Sequence, residues 1–467
     1  MAGMSTAAIE SGAAADMAAL GSAHAGAVVQ TCPKVSLEIG VFFDGTGNNE
    51  QNAQTGGEGS YANARSNVSL LKDLYYNDGN RYDTTNACGG YERRYRNLYV
   101  QGIGTETGEE DDVWGSAMGI GERGVENRVI EAALDVGEMI NRLSPGVEPE
   151  EVVLDVFGFS RGAAAARHFV NGFNAGRLDY KRVGWIDLMP LLGWTNDKHA
   201  RLPKDRNIRL RFVGIFDTVA AIAGDITADN GDVDVHLKTA SAETIFHLTA
   251  EDEIRHSFSL NDNQPSGGEV ERLPGVHSNV GGGYPQNFKE RPVIRMPTTG
   301  VGYSNAQAQT AQAGAVAQLR ATMMADAAVF IAEGWITPAD LPGAWELEST
   351  PIETETVAYG NTYRTYYRWS ILTRLNRPWM RHELSRIALR KMYDKATSSD
   401  VPMKAFPGSG EYAVPGDLSS ASDAVVKRNF THHSANYNDI YPVIGAPMRE
   451  RRGRKRKVHP NQPGRAK

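Results

Sequence analysis

Val152-Val153-Leu154-Asp155-Val156-Phe157 runs straight into Gly158-Phe159-Ser160-Arg161-Gly162, and Ala163-Ala164-Ala165-Ala166-Arg167 leaves it. A mainly apolar strand, a tight turn and an alanine-rich helix, in that order, form the setting in which a serine becomes a nucleophile. The hydroxyl is held out on a sharp strand-to-helix turn, and glycines occupy the positions where side chains would collide. The pentapeptide alone carries little weight, because 49 glycines in 467 residues make a GxSxG easy to meet by chance, and an ordinary turn serine is the bland alternative. The surrounding order makes Ser160 the candidate nucleophile. Ala163 to Ala166 add little bulk, so their helix can approach a sheet closely with its amino end toward the serine.

Other strand ends repeat the pattern. Ser36 to Phe43 reads as a strand ending at Asp44-Gly45-Thr46-Gly47-Asn48-Asn49, and Arg209 to Phe216 as another ending at Asp217. Short strands are expected at Asn97 to Gln101 and at Glu269 to Leu273, the latter delivering Pro274-Gly275-Val276-His277-Ser278-Asn279 and three glycines in a tight loop. Helices are expected over Arg65 to Leu74, Gly124 to Leu143, Ser241 to Leu248 and Met380 to Ala396. Asp44, Ser160 and Asp217 would then share one edge of a parallel sheet. The fold class is α/β: an α/β-hydrolase-like, mainly parallel sheet flanked by helices, with helical and irregular insertions.

The organisation expected is a flexible segment over residues 1–31, an α/β-hydrolase core over 32–300, a helical lid or membrane-facing elaboration over 301–448 that packs on the core and could complete it, and a basic tail over 449–467. Within the third, Val301 to Trp335 is Ala-rich with Leu319, Met323, Met324, Val329, Phe330 and Ile331 at helical spacings; packing over the core is its commonest explanation. Between Arg449 and Lys467 nine side chains are Lys or Arg and one is acidic, which reads as a solvated tail able to touch anionic lipid. The net charge of −7 disfavours a nucleic-acid binder. Two cysteines, Cys32 and Cys88, exclude a disulfide scaffold and a four-cysteine metal site and leave a single bridge open. Residues 1–31 lack the basic cluster and apolar run of a secretory signal.

A serine hydroxyl needs a base within about 3 Å and a carboxylate to orient that base. His277 is the first choice of base, ahead of His168, His236, His247, His256, His382, His432 and His433, because its glycine-rich loop lets it reach back to the strand ends. Asp217 is preferred as the acid over Asp234 and Asp252 because it closes a clean strand. The order Ser160, Asp217, His277 is that of an α/β hydrolase. Negative charge on a tetrahedral intermediate calls for the N–H of Arg161 and for a second donor from an earlier strand end, Gly45 or Thr46; Asp44 reads as an organiser of that loop. This chemistry requires no cofactor, no cluster compels a metal, and a remote structural cation stays open.

IGVFFDGTGNN at Ile39 to Asn49, YVQGIGT at Tyr99 to Thr105, GFSRGAAAAR at Gly158 to Arg167, GIFDTV at Gly214 to Val219 and PGVHSNVGGGY at Pro274 to Tyr284 follow one another over about 250 residues. The set resembles the Tle1-type phospholipase effectors of bacterial type VI secretion, in the branch whose catalytic region is catalogued as a domain of unknown function. The resemblance implies an α/β hydrolase, Ser160 as nucleophile and His277 as base, with the aspartate of FDTV matched to Asp217. It further implies phospholipase A activity, PLA1 or PLA2 in type, on membrane glycerophospholipids. The partners it implies are a secretion spike protein for delivery and a periplasmic immunity protein. The chain would be made in the bacterial cytoplasm, exported without a signal peptide and active in the periplasm or at the membrane of a target cell. The family loop commonly reads HSDVGGG where this chain has Asn279, which turns attention to Asp217 for the acid and leaves Asn279 to shape the loop. Another serine esterase or lipase, or a noncatalytic hydrolase-like module, are the competing readings.

Overall fold

Val35, Leu37, Ile39, Val41 and Phe43 are buried on one face of the first strand while Phe42 is buried on the other, so this strand is covered on both sides. The computed structural model describes residues 34–77, 91–109, 111, 124–145, 149–181, 197–201, 208–220, 230, 233–360, 362–433, 435–436 and 456–463. Six strands form one sheet: β1 (Lys34–Phe43), β2 (Tyr91–Val100), β3 (Glu151–Phe159), β4 (Ile208–Phe216), β5 (Thr244–Ala250) and β6 (Glu269–Leu273). Their spatial order is β2-β1-β3-β4-β5-β6, and every neighbouring pair is parallel.

Helices cover both faces. On one side α1 (Asn67–Leu74) packs with the phenylalanines of β1, β3 and β4, while α2 (Val125–Leu143) and α3 (Arg161–Ala175) lie on the opposite side. Beside α1 on the same face stands α6 (Leu384–Ser398), with Leu389 and Met392 fully buried in the same cluster as Phe157 and Phe212. Between them in the chain come α4 (His277–Gly281) and α5 (Asn305–Ala332). The result is a mixed α/β fold with a parallel sheet flanked by helices, consistent with a hydrolase-like architecture. All carboxyl ends of the strands face one edge, so the residues after β1, β3 and β4 are neighbours by construction.

One polar interruption in β3 is paired inside the sheet. Asp155 takes two hydrogen bonds from Arg211 of β4, at 2.9 and 2.6 Å, and a third from the Tyr75 hydroxyl at 2.8 Å, while Glu38 of β1 shares the same guanidinium at 2.8 Å. The charges are buried but none is unpaired.

Three expectations are corrected. Ser241 to Leu248 does not form a helix: Thr244–Ala250 is strand β5, because TIFHLTA carries β-branched and aromatic residues suited to a strand buried on both faces. The long helix α5 does not pack over the parallel core. It lies on a second, antiparallel sheet made of β7 (Thr298–Gly302), β8 (Trp345–Ser349), β9 (Glu353–Tyr359) and β10 (Thr362–Leu375), meeting Trp369 and Ile371 through Ala308, Ala315, Val316 and Leu319. The region expected to be helical therefore carries most of an antiparallel sheet as well. Its helix is long and apolar enough to cross a membrane by length and composition, and only 17% of that apolar window is buried. Finally, residues 449–467 are not simply a solvated tail: Val458–His459 forms β11, pairing in parallel with Leu260–Asn261. The flexible head over 1–31 and both cysteines lie outside the described residues.

Candidate active site

The turn between β3 and α3 is tight enough to explain its glycines. A Cβ on Gly158 would fall 2.6 Å from Ala163 Cα, and one on Gly162 would fall 2.2 Å from Asp44 O. The second clash explains how the amino end of α3 comes to lie against the end of β1. Ser160 stands between them at φ 58° and ψ −126°, a left-handed conformation that costs a non-glycine residue about 1–3 kcal/mol and persists only where its surroundings impose it. Its N–H donates to Phe216 O at 3.1 Å, and its carbonyl accepts from Ala163, Ala164 and Val219. The hydroxyl does not cap the helix it precedes.

Asp217 follows Phe216 at the end of β4, also at positive φ (42°), and its side chain is fully buried. His277 opens α4, not a loop as expected: its glycine-flanked segment coils into a short helix. The imidazole Nδ1 meets Asp217 Oδ2 at 2.6 Å. The His277 backbone N–H donates to Glu253 Oε2 at 3.2 Å, and the ring is held between Phe159, at a centroid distance of 4.7 Å, and Phe258, at 4.9 Å. Gly281 is required here, since a Cβ would sit 1.9 Å from the Phe159 ring. Phe159 thus carries the nucleophile's turn and one wall of the histidine. Among the described residues no hydrogen bond joins Ser160 Oγ to His277; such contacts are often long before substrate arrives.

Electrostatics divide the pair. Burial alone would raise the Asp217 carboxyl, but the charge of Arg456 and the bond from His277 carry it well below the usual carboxylate range, so it stays ionised. Burial lowers His277 and outweighs the opposing pull of Asp217, so the neutral, proton-accepting form prevails. Glu253, bonded to Arg255, is held at about 2, with burial opposing and the Arg255 charge prevailing.

Asp44 is buried at the end of β1, where it takes the Gly45 N–H at 2.7 Å and the Tyr99 hydroxyl at 2.6 Å; burial lifts its carboxyl to about 6. Because Gly45 N–H is already held by Asp44, that residue does not suit the oxyanion role expected of it, which leaves Thr46 and Arg161. The two are joined directly, with Arg161 Nη1 donating to Thr46 Oγ1 at 2.9 Å. As the first residue of α3, Arg161 has its backbone N–H at the helix's amino end, where the helix dipole is positive. Asn279 binds α4 to a later segment, accepting from the N–H groups of Val276 and His432 and donating to Phe430 O.

The other candidates have different partners. His247 lies behind the site between Thr218 N–H and Asn263, His168 accepts from Asp234 N–H, His236 from Gln462 N–H, and His432 stacks on Tyr284 at 3.7 Å. Asp252 binds Gly275 N–H and Lys427, and Asp234 binds His236 N–H. The side chain of His256 lies outside the described residues. Among those described, no group of three or more His, Cys, Asp or Glu is arranged to hold a metal.

Sequence reasoning missed Arg456 and Glu253. Arg456 sits within a basic run whose members look alike in one dimension; the only distinguishing signal is the strand-capable Val458-His459 just after it.

A model of the catalytic domain of Tle1-like type VI secretion phospholipase effectors matches residues 189–304. The matched stretch holds Asp217 and His277 and begins after Ser160. Among solved structures, the chain resembles a Tle1 effector bound to the VgrG spike of the type VI secretion system, with 22% identity, 87% of this chain and 86% of that one covered, and a TM-score of 0.57. The fold is therefore shared. A crystal structure of an uncharacterized protein from Pseudomonas aeruginosa aligns at 18% identity over 85% of this chain and 49% of that one, with a TM-score of 0.39. No curated protein sequence matches. Together the family model and the shared fold support a link to the Tle1-like effectors at the level of family or superfamily.

Proposed function

We propose that the protein is a serine-dependent phospholipase A, of PLA1 or PLA2 type, that cleaves acyl esters of membrane glycerophospholipids on an α/β-hydrolase scaffold. The observation that carries this reading is the 2.6 Å contact of His277 with a buried, ionised Asp217, one strand end away from a serine held in a strained strand-to-helix turn. In this mechanism Asp217 fixes the His277 proton on Nδ1 and leaves Nε2 to take the proton of Ser160 Oγ. The serine attacks the ester carbonyl, and the N–H of Arg161, with a donor at Thr46, faces the negative oxygen. His277 returns its proton to the departing lyso-lipid, and water then releases the fatty acid from the acyl-enzyme.

The role of an antibacterial effector rests on the family link. Delivery by a spike protein accords with the likeness to a spike-bound Tle1 effector, and a periplasmic immunity protein is the second partner that the resemblance implies. Under this reading the chain is made in the bacterial cytoplasm, leaves through the type VI apparatus and acts in the target periplasm or at its membrane. The exposed apolar length of α5 provides a surface for meeting lipid. The test compares the protein with Ser160→Ala on defined phospholipid vesicles, resolving fatty acid and lyso-lipid by mass. We expect the variant to lose at least about a thousandfold in product release. Equal release would sink the nucleophile, and activity confined to soluble short esters would sink the lipid assignment.

A further inference from the structure

We propose that Arg456, carried into the site by the C-terminal segment, is a positioning residue for the acid Asp217; the inference rests on the triad reading above. Asp217 has a full complement of acceptor contacts. Oδ1 takes the Ala250 N–H at 2.8 Å and Arg456 Nη2 at 2.5 Å, while Oδ2 takes His277 Nδ1 at 2.6 Å and Arg456 Nη1 at 2.8 Å. Arg456 thus supplies half of these contacts, one to each oxygen, in the planar fork that fixes a carboxylate's rotation. Rotating the carboxylate about its own axis would break both Arg456 bonds along with the one to His277. The carboxylate plane that aims the imidazole is set by a residue 239 positions away.

The segment bearing Arg456 is anchored along its length. Lys457 O accepts from Leu260 N–H and His459 O from Asp262 N–H, both at 2.9 Å. Asn461 is buried, donating its amide to Leu237 O and Pro265 O and accepting from Leu237 N–H, and its own N–H reaches Gln264 O. Its partner segment is tied in turn to the residues after Asp217: Asn261 N–H donates to Thr218 O, and Asn261 Oδ1 accepts from Ala220 N–H. The segment therefore grips the acid directly through Arg456 and its supporting loop through Asn261. Arg456 itself is only 8% exposed, which removes it from the pool of solvated basic side chains.

A buried cation bonded to both oxygens of Asp217 also weakens the negative field that His277 feels. Among the described residues, the other charges around the pair are Glu253 and Arg255 beside His277, and Arg167 behind His247 on the β5 side. Removing Arg456 leaves Asp217 less neutralised, so the His277 imidazole holds its proton to higher pH and the acid limb of kcat/KM moves upward.

The experiment measures kcat, KM and pH profiles on a p-nitrophenyl ester and on phospholipid vesicles for the full chain, Arg456→Gln, Arg456→Lys, Asp217→Asn and the Asp217→Asn/Arg456→Gln pair. Arg456→Gln is expected to lower kcat by about 10- to 100-fold, the scale of a lost charge-assisted hydrogen bond, with little change in KM and an acid limb at higher pH. Arg456→Lys should recover part of kcat, since one ammonium cannot span both oxygens as the guanidinium does. In the Asp217→Asn background the second change should have no further effect on kcat. An unchanged kcat and acid limb in Arg456→Gln, or an equal loss in the Asp217→Asn background, would overturn the proposal. If Arg456→Gln does not fold, Asn461→Ala loosens the segment without touching Asp217. A lower kcat with the limb displaced upward supports the proposal, and a lower Tm alone overturns it. Failure of the triad reading is distinguishable, because Ser160→Ala would then match the full chain.

Discussion

Two buried aspartates, Asp155 and Asp217, each hold an arginine by two hydrogen bonds, yet only one also holds a histidine. Asp155 lies within a central strand, its arginine comes from the adjacent strand, and a tyrosine hydroxyl completes the group. Asp217 lies just past a strand end, its arginine comes from the far end of the chain, and beside the Ala250 N–H it holds an imidazole. The chemistry of the ion pair is the same. Position on the strand separates a group that holds the sheet together from one that can move a proton, because only the strand end leaves room for a catalytic partner beside the nucleophile's turn.

That contrast can be broken by neutralising each acid. Asp217→Asn is expected to reduce kcat per folded molecule by about 10⁴-fold, since the amide favours the wrong imidazole tautomer, beside a stability loss of about 3 kcal/mol from the weakened hold on Arg456; a steady-state assay on purified folded protein checks it. Asp155→Asn should instead cost about 3 kcal/mol in urea unfolding, by weakening the hold on Arg211, while kcat per folded molecule stays near that of the parent. If the two variants behaved alike, strand position would not be what divides them. A smaller effect sharpens the same point at α4. Asn279→Asp would set an acceptor against Phe430 O in place of a donor, costing about 1–3 kcal/mol by thermal or urea unfolding and lowering kcat less than about tenfold. Restoring the commoner residue of the resembled loop therefore should not improve the enzyme.

The smallest effect concerns pH. Burial holds His277 below the ordinary imidazole value of 6.5, so its neutral form persists on acidification and the acid limb of kcat/KM should lie below 6.5. A limb at or above that value would mean that the Asp217 charge outweighs burial.

Much of this arrangement was legible one residue at a time. Ser160, Asp217 and the segment carrying His277 each follow a strand signal, and strand ends are where α/β folds collect side chains. Helices α1, α2 and α6 showed in their apolar spacing. The strand at Thr244–Ala250 was missed because its short apolar run, between polar neighbours, fits a helix face as readily as a buried strand. The antiparallel sheet beside α5 was missed because ETETVAY and much of TYRTYYRW are exposed, so no burial pattern marks them.

The sequence by itself determined which elements exist and which reactive residues close them, because hydrophobic period, glycines at close approaches and strand-to-helix order are local properties of the chain. Only the tertiary structure decided who partners whom. It gave Gly45 N–H to Asp44, turned Asn279 toward Phe430, and drew Arg456 out of a basic run onto the acid. Those choices depend on which donors a carboxylate or carbonyl meets once water is excluded, and burial of that kind is set by segments far apart in the chain.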